Sequence, residues 1–261
     1  MKTILLVIDP QNDFCSPKGS LFVPGAVEDC ERLAYFIQNN KTQIDSISVT
    51  LDSHSCYHVA HGVFWQDQDG NHPEPYTQIT YNDFENGIWR PVDSSYNKKI
   101  ENYLLSLESK GRYKLVIWPQ HCIVGTSGSD IYPSVYKAIN DWEMSHPCKN
   151  MGIIRKALNQ CTEHYSAVQA EVPDPSDDST KTNFTLIDIL KEADRVYIAG
   201  EALSHCVANT VSDLAVYISP DKMYLLRDCA SSVVGFEAQG EDFLSQMKAK
   251  GMNIASSSDI L

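Results

Sequence analysis

The sequence contains no run of five basic residues, and its 21 Lys and Arg are outnumbered by 34 Asp and Glu, for a formal net charge of −13. A nucleic-acid backbone or an anionic membrane calls for a basic face, so neither is an expected partner. The apolar run behind Lys2, from Ile4 to Ile8, stops at Asp9-Pro10. That is too short for the core of a secretion signal and far too short to span a bilayer. The eight cysteines include no C-x-x-C pair and are scattered over the whole length. Without a secretion signal, free thiols and a cytoplasmic location are the expectation rather than a disulfide framework. Internal repeats and low-complexity tracts are also missing. Hydrophobic residues make up 43% and charged residues 21% of the 261 positions. This is ordinary globular usage, and the chain is long enough to bury a core without covalent staples.

Short β-branched runs stand apart at Thr3–Ile8, Ser46–Leu51, Lys114–Trp118, Gly152–Arg155, Arg195–Ala199 and Lys222–Leu226. The first is continuously apolar, which fits a strand covered on both faces. Helical stretches lie between them at Ala26–Asn39, Lys99–Ser109, Thr185–Glu192, His205–Ile218 and Phe236–Lys250. Such alternation predicts an α/β fold, a parallel Rossmann-like sheet with helices on both faces. Strands at the two ends of the chain look alike, so residues 1–261 read as a single domain. One stretch breaks the rhythm. From about 62 to 95 the chain is rich in Pro, Asn, Asp, Gly and aromatics without a period, and reads as an ordered lid. A shorter loop, Pro173–Ser179, reads as a solvated turn.

Ligands of an open parallel sheet sit at the carboxyl ends of its strands. The polar residues there are Asp9, Asp52 with His54, His121, Lys156 and the segment Gly200–Cys206. A cysteine where a helix begins feels the macrodipole, which lowers its thiol pKa, and nearby backbone N–H groups can hold an oxyanion. Asp9 can accept the thiol proton, and Lys156 can stabilise anions. Taken singly, Cys206 reads as a small core residue and Asp9-Pro10 as a turn. His205 does not face Cys206 on a helix, so a Cys–His dyad is not expected. Asp52 and His54, two apart in extended chain, point to one side and can share a cation. Adding His121 makes two imidazoles and a carboxylate, which suit zinc, iron or manganese. A D-x-H alone reads as a surface turn.

Together these pieces resemble the isochorismatase-like cysteine hydrolases, whose fold is a three-layer α/β sandwich. The opening motif resembles Asp9-Pro10-Gln11-Asn12-Asp13-Phe14. The lysine motif resembles Lys156 with Glu163-His164-Tyr165-Ser166-Ala167, and the cysteine motif Gly200-Glu201-Ala202 with Cys206-Val207. The likeness runs from residue 3 to about 255 and misses mainly 62–113, read as a long loop or lid insertion. It implies a catalytic triad of Asp9, Lys156 and Cys206, a non-proline cis peptide at Glu201–Ala202, and an oxyanion hole from the N–H groups of Ala202 and Cys206.

Thr50-Leu51-Asp52-Ser53-His54 with His58, and Trp118-Pro119-Gln120-His121-Cys122 with Gly125-Thr126, resemble the nicotinamidase branch. Isochorismatase-type members lack this pair. The resemblance implies Asp52, His54 and His121 as ligands of a divalent metal, zinc first and iron or manganese next, with His58 beside the metal rather than on it. Phe14, Trp118 and Tyr165 fall where the family stacks a flat pyridine ring. His61 and His72, in or beside the insertion, read as exposed histidines. The implied reaction is hydrolysis of nicotinamide through a Cys206 thioester, in a homo-oligomer acting on a small amide.

Three departures from the family pattern are Glu201, the pair Ser204-His205 and the long insertion. They keep open a related hydrolase for another amide or ureido compound, and a ligand-binding member without catalysis. A redox sensor with Cys206 resolved by Cys122 or Cys229 is a further alternative.

Overall fold

The computed structural model describes residues 1–110 and 114–259. The last three positions of the expected 62–113 insertion, and the last two of the expected 1–261 domain, lie outside the described residues. The chain opens with β1 (Thr3–Ile8), the single turn α1 (Asn12–Cys15), α2 (Ala26–Asn40) and β2 (Ser46–Asp52). A lobe follows with β3 (Trp65–Gln66), β4 (Gln78–Ile79), α3 (Tyr81–Glu85), β5 (Arg90–Pro91), α4 (Asn97–Ser109) and β6 (Leu115–Val116). Next come α5 (Pro133–Ser145), β7 (Gly152–Lys156), α6 (Phe184–Lys191) and β8 (Arg195–Gly200). The last elements are α7 (Ala208–Leu214), β9 (Met223–Leu226), α8 (Glu237–Ala249) and β10 (Asn253–Ala255).

The central sheet is parallel, in the order β10-β9-β8-β1-β2-β7. Every residue of β1 is buried, so both faces of the sheet are covered at its middle. On one face Phe36 of α2 meets Tyr197 of β8 edge-on at 5.5 Å. From β1 the chain steps outward to β2 and β7, then crosses to β8, β9 and β10 on the other side. Strand order therefore reverses at β1, and the crevice between the carboxyl ends of β1 and β8 is where such sheets bind ligands. The β1–β8 register ends on Ile8 beside Gly200. The β2–β7 register ends on Asp52 beside Lys156.

Several boundaries differ from expectation for identifiable reasons. The apolar run Lys114–Trp118 yields only β6, which pairs antiparallel with β4 outside the main sheet. Leu115 and Ile117 are instead spent on a second hydrophobic cluster with Phe64, Trp65, Ile79 and Leu104. Residues 62–110 are thus a small folded lobe built on that cluster, where a long loop forming an ordered lid was expected. Helix α5 is not among the helices expected above, although Val135, Ala138, Ile139 and Trp142 keep helical spacing behind Pro133 at its first turn. The sixth strand, β10, is three half-buried residues, too short to carry a period. The helix expected from His205 begins as a π-helical turn, Leu203–Val207, before α7. No helix among the described residues is long and apolar enough to cross a membrane.

Candidate active site

Four adjacent strands, β8, β1, β2 and β7, each deliver one polar group to the same end of the sheet. At the centre is Lys156, only 1% exposed. Its Nζ lies 2.9 Å from Asp9 Oδ2 and 2.7 Å from Asp52 Oδ1. It also reaches the His164 carbonyl at 3.1 Å and Cys206 Sγ at 3.5 Å. Burial by itself pushes this ammonium down, but Asp52 and Asp9 outweigh it and hold Lys156 well above its usual value. The lysine is charged and sits between two carboxylates.

Asp9 has φ of 43°, a left-handed conformation that non-glycine residues adopt at a cost. Thr50 of β2 holds it there. The Asp9 N–H donates to Thr50 Oγ1 at 3.1 Å, and that hydroxyl donates to Asp9 Oδ1 at 2.5 Å. Burial raises the Asp9 carboxyl above its ordinary value, against the pull of Lys156. Burial likewise pushes the Cys206 thiol well up, assisted by Asp9 and Asp52 and opposed by Lys156. This corrects the expectation of a thiol lowered by the helix start, since Cys206 is sealed among carboxylates on a π-helical turn. The Asp9 carboxyl thus favours the protonated thiol, while the Lys156 ammonium favours the thiolate.

Cys206 and Ala202 line a tight cavity of about 30 Å³. Phe14, Trp118 and Tyr165, the expected ring-stacking residues, all face it. The Trp118 Nε1–H donates to the Tyr165 hydroxyl at 3.0 Å, which fixes two of these walls together. His205 completes the aromatic wall, 5.2 Å edge-on from Trp118 and 5.3 Å from Tyr165. Glu163 also lines the cavity, with one carboxylate oxygen accepting the His164 N–H at 2.9 Å and the other buried without a hydrogen bond. Glu163 belongs to the lysine motif, but the sequence reading assigned it no place in the site.

The Glu201–Ala202 peptide is cis, as the resemblance implied. The Glu201 carboxyl turns from the cavity towards α2, accepting the Ser231 N–H at 3.2 Å beside Asp29. Burial, then Asp29, pushes it well above the usual carboxyl value of 4.5. The unfolded chain therefore releases this proton first, and stability falls as pH rises from that ordinary value towards the folded one, by up to about 1.4 kcal/mol per unit. Glu201→Gln is expected to flatten the decline of the thermal midpoint between pH 5 and 8. An unchanged slope relative to wild type would contradict this.

One wall of the cavity leads to the histidines. Asp52 Oδ2, the oxygen turned from Lys156, lies 3.3 Å from His54 Nε2 and 3.6 Å from His121 Nε2. Burial would raise Asp52, but Lys156, His54 and His121 hold it well below the ordinary carboxylate range. Gln11 clamps its backbone, donating to the Asp52 carbonyl and accepting its N–H, both at 2.8 Å. Asp13 accepts the Cys122 N–H at 2.6 Å, tying the opening motif to the loop of His121.

His61 is fully buried, not exposed as expected, because the lobe folds over it and its chain pairs with Trp118. His72 is exposed. Ligand atoms of His54, His61 and His121 lie within 4.8 Å of one another. Both ring nitrogens of His54, and Nε2 of His58 and His61, are buried without a hydrogen bond. Orphaned buried nitrogens cost about 1–3 kcal/mol each, and a cation shared by His54 and His61 relieves one on each ring. The residues present therefore fit a metal ion. All eight cysteines are free. Burial pushes the Cys206 and Cys122 thiols well up, which disfavours the thiolate that redox sensing requires.

A search of family models finds no match. The nicotinamidase of Saccharomyces cerevisiae is 30% identical over 220 residues, 82% of either chain. The chain belongs to the nicotinamidase family. Among solved structures, the yeast nicotinamidase bound to the inhibitor nicotinaldehyde superposes with a TM-score of 0.68 at 24% identity, covering 97% of this chain and 99% of that one. A pyrazinamidase of Pyrococcus horikoshii in complex with zinc gives 0.58 at 22% identity, covering 98% and 99%. These likenesses show that this nicotinamidase relative has their fold.

Proposed function

We propose that this protein is a metal-dependent cysteine amidohydrolase that converts nicotinamide to nicotinate and ammonia in the cytoplasm. The observation that carries the reading is Asp9, Lys156 and Cys206 joined in one buried network at the floor of a cavity walled by aromatic rings. The aromatic walls suit a flat single-ring amide. Phe14, Trp118 and Tyr165 orient that ring by stacking.

Asp9 takes the thiol proton as Cys206 Sγ bonds to the carboxamide carbon, and the carbonyl electron pair moves onto oxygen. The N–H groups of Ala202 and Cys206 hold that oxyanion, with Lys156 adding positive charge nearby. When the oxyanion collapses, the C–N bond breaks and Asp9 returns its proton to the leaving nitrogen, releasing ammonia. Asp9 then removes a proton from water, whose oxygen attacks the thioester carbon. The C–S bond breaks, and Cys206 recovers the proton from Asp9. A raised Asp9 carboxyl is the stronger base this shuttle needs.

Asp52, His54 and His121 would hold the metal, for which zinc is the assignment that best suits imidazole and carboxylate donors. When bound, the ion would supply an electrophilic anchor for the substrate's ring nitrogen. The test is ammonia release from nicotinamide by zinc-loaded protein, repeated after chelation and after zinc is restored. Release that is lost on chelation and regained with zinc is expected. No release from protein shown to contain zinc would overturn nicotinamide as substrate, and hydrolysis of another amide would assign the triad to that compound.

A further inference from the structure

We infer that His61, and not His58, is the third imidazole ligand of the metal, completing a shell of His54, His61 and His121 with Asp52. The inference deepens the metal-binding reading given above and rests on it. Ring orientation decides between the two candidates. The Ala60 N–H donates to His58 Nδ1 at 3.2 Å, so Nδ1 carries a lone pair and the neutral ring has its proton on Nε2. That nitrogen, the one left without a partner, then has no lone pair to offer an ion. His61 has the opposite arrangement. Its Nδ1 faces the Cys56 carbonyl at 3.4 Å, an acceptor only, so the proton belongs there and the buried Nε2 presents its lone pair.

His121 is oriented in the same way, its Nδ1 2.8 Å from the Pro119 carbonyl. Anchoring one ring nitrogen on a backbone carbonyl is how proteins aim the other at a metal. The ligand atoms of His54, His61 and His121 converge, and among the described residues the other converging group is Asp9, Asp52 and Cys206. His61 is nonetheless 5.6 Å from His58, ring centre to ring centre. The two histidines are thus separate neighbours of the site, with different hydrogen-bonding roles.

The experiment uses full-length protein loaded with zinc alone. Zinc-edge X-ray absorption of the wild type is expected to count three imidazoles, and a count of two would overturn the inference without needing any variant to fold. Equilibrium dialysis against a zinc buffer then compares His61→Gln with His58→Gln. Loss of a direct ligand should exceed the 10- to 100-fold typical of an outer partner, so His61→Gln should weaken zinc by more than about 100-fold and His58→Gln by less. Cobalt-substituted protein supplies a readout independent of affinity. The visible d–d bands should change in His61→Gln and persist in His58→Gln, and the reverse pattern would assign the ligand to His58. Amide hydrolysis is scored separately. Three imidazoles without nicotinamide turnover would sink the substrate assignment and leave the ligand assignment standing.

Discussion

Replacing Cys206 with alanine is expected to lower kcat for ammonia release from nicotinamide by at least about four orders of magnitude, while the ring still binds. The cavity wall of Phe14, Trp118 and Tyr165 is untouched by the change, so affinity measured by titration calorimetry should move little. Asp9→Asn should lose nearly as much, because a thiol pushed well up by burial cannot ionise without the neighbouring carboxylate. Groups that act as one unit are non-additive, so the double variant should be no slower than the worse single one. Residual activity within tenfold of wild type for Cys206→Ala would remove the thioester from the mechanism. The pH profile follows with a definite sign. Burial raises Asp9 above its ordinary value of 3.8, and only its ionised form accepts the thiol proton. Activity should therefore fall on acidification at a pH above that value.

The second large effect is on stability. Lys156→Met leaves Asp9 and Asp52, at 0% and 5% exposure, facing each other without the cation that stands 2.9 and 2.7 Å from them. Breaking a buried ion pair by removing one partner costs about 3–5 kcal/mol. For a chain of this size that corresponds to a fall of roughly 6–20 °C in the thermal midpoint. Lys156→Met combined with Asp52→Asn should recover part of the loss, since it removes one of the stranded charges. Calorimetry of the two variants checks both statements. A midpoint within 2 °C of wild type for Lys156→Met would mean that the network carries little net stabilisation.

Much of the site was legible because catalytic groups in a parallel sheet sit at strand ends, and strand ends are marked by where an apolar run stops. Ile8 stops at Asp9, Leu51 at Asp52, Arg155 at Lys156, and Ala199 just before the cysteine segment. These four boundaries follow from local pattern alone. Alternation with helices implies a parallel sheet but not its strand order; the resemblance implied the triad, and the order β8-β1-β2-β7 brings its residues together. The aromatic positions were legible through family likeness rather than through physics, because Phe14, Trp118 and Tyr165 are indistinguishable by type from core residues such as Trp142 and Tyr197.

Local sequence determined the alternating α/β architecture and the strand ends at which Asp9, Asp52 and Lys156 stand. These depend on hydrophobic period and on residue type, which act over a few positions. Tertiary structure decided the rest. It buried His61 by folding the 62–110 lobe on its own apolar cluster, and it turned the Glu201 carboxyl from the cavity to Ser231 and Asp29. It reversed the expected sign at Cys206 by surrounding the thiol with carboxylates and excluding water. Each of these outcomes depends on what lies across a gap from a side chain, on residues tens to hundreds of positions away. Burial and electrostatic environment are properties of that distant company, and no window along the chain contains them.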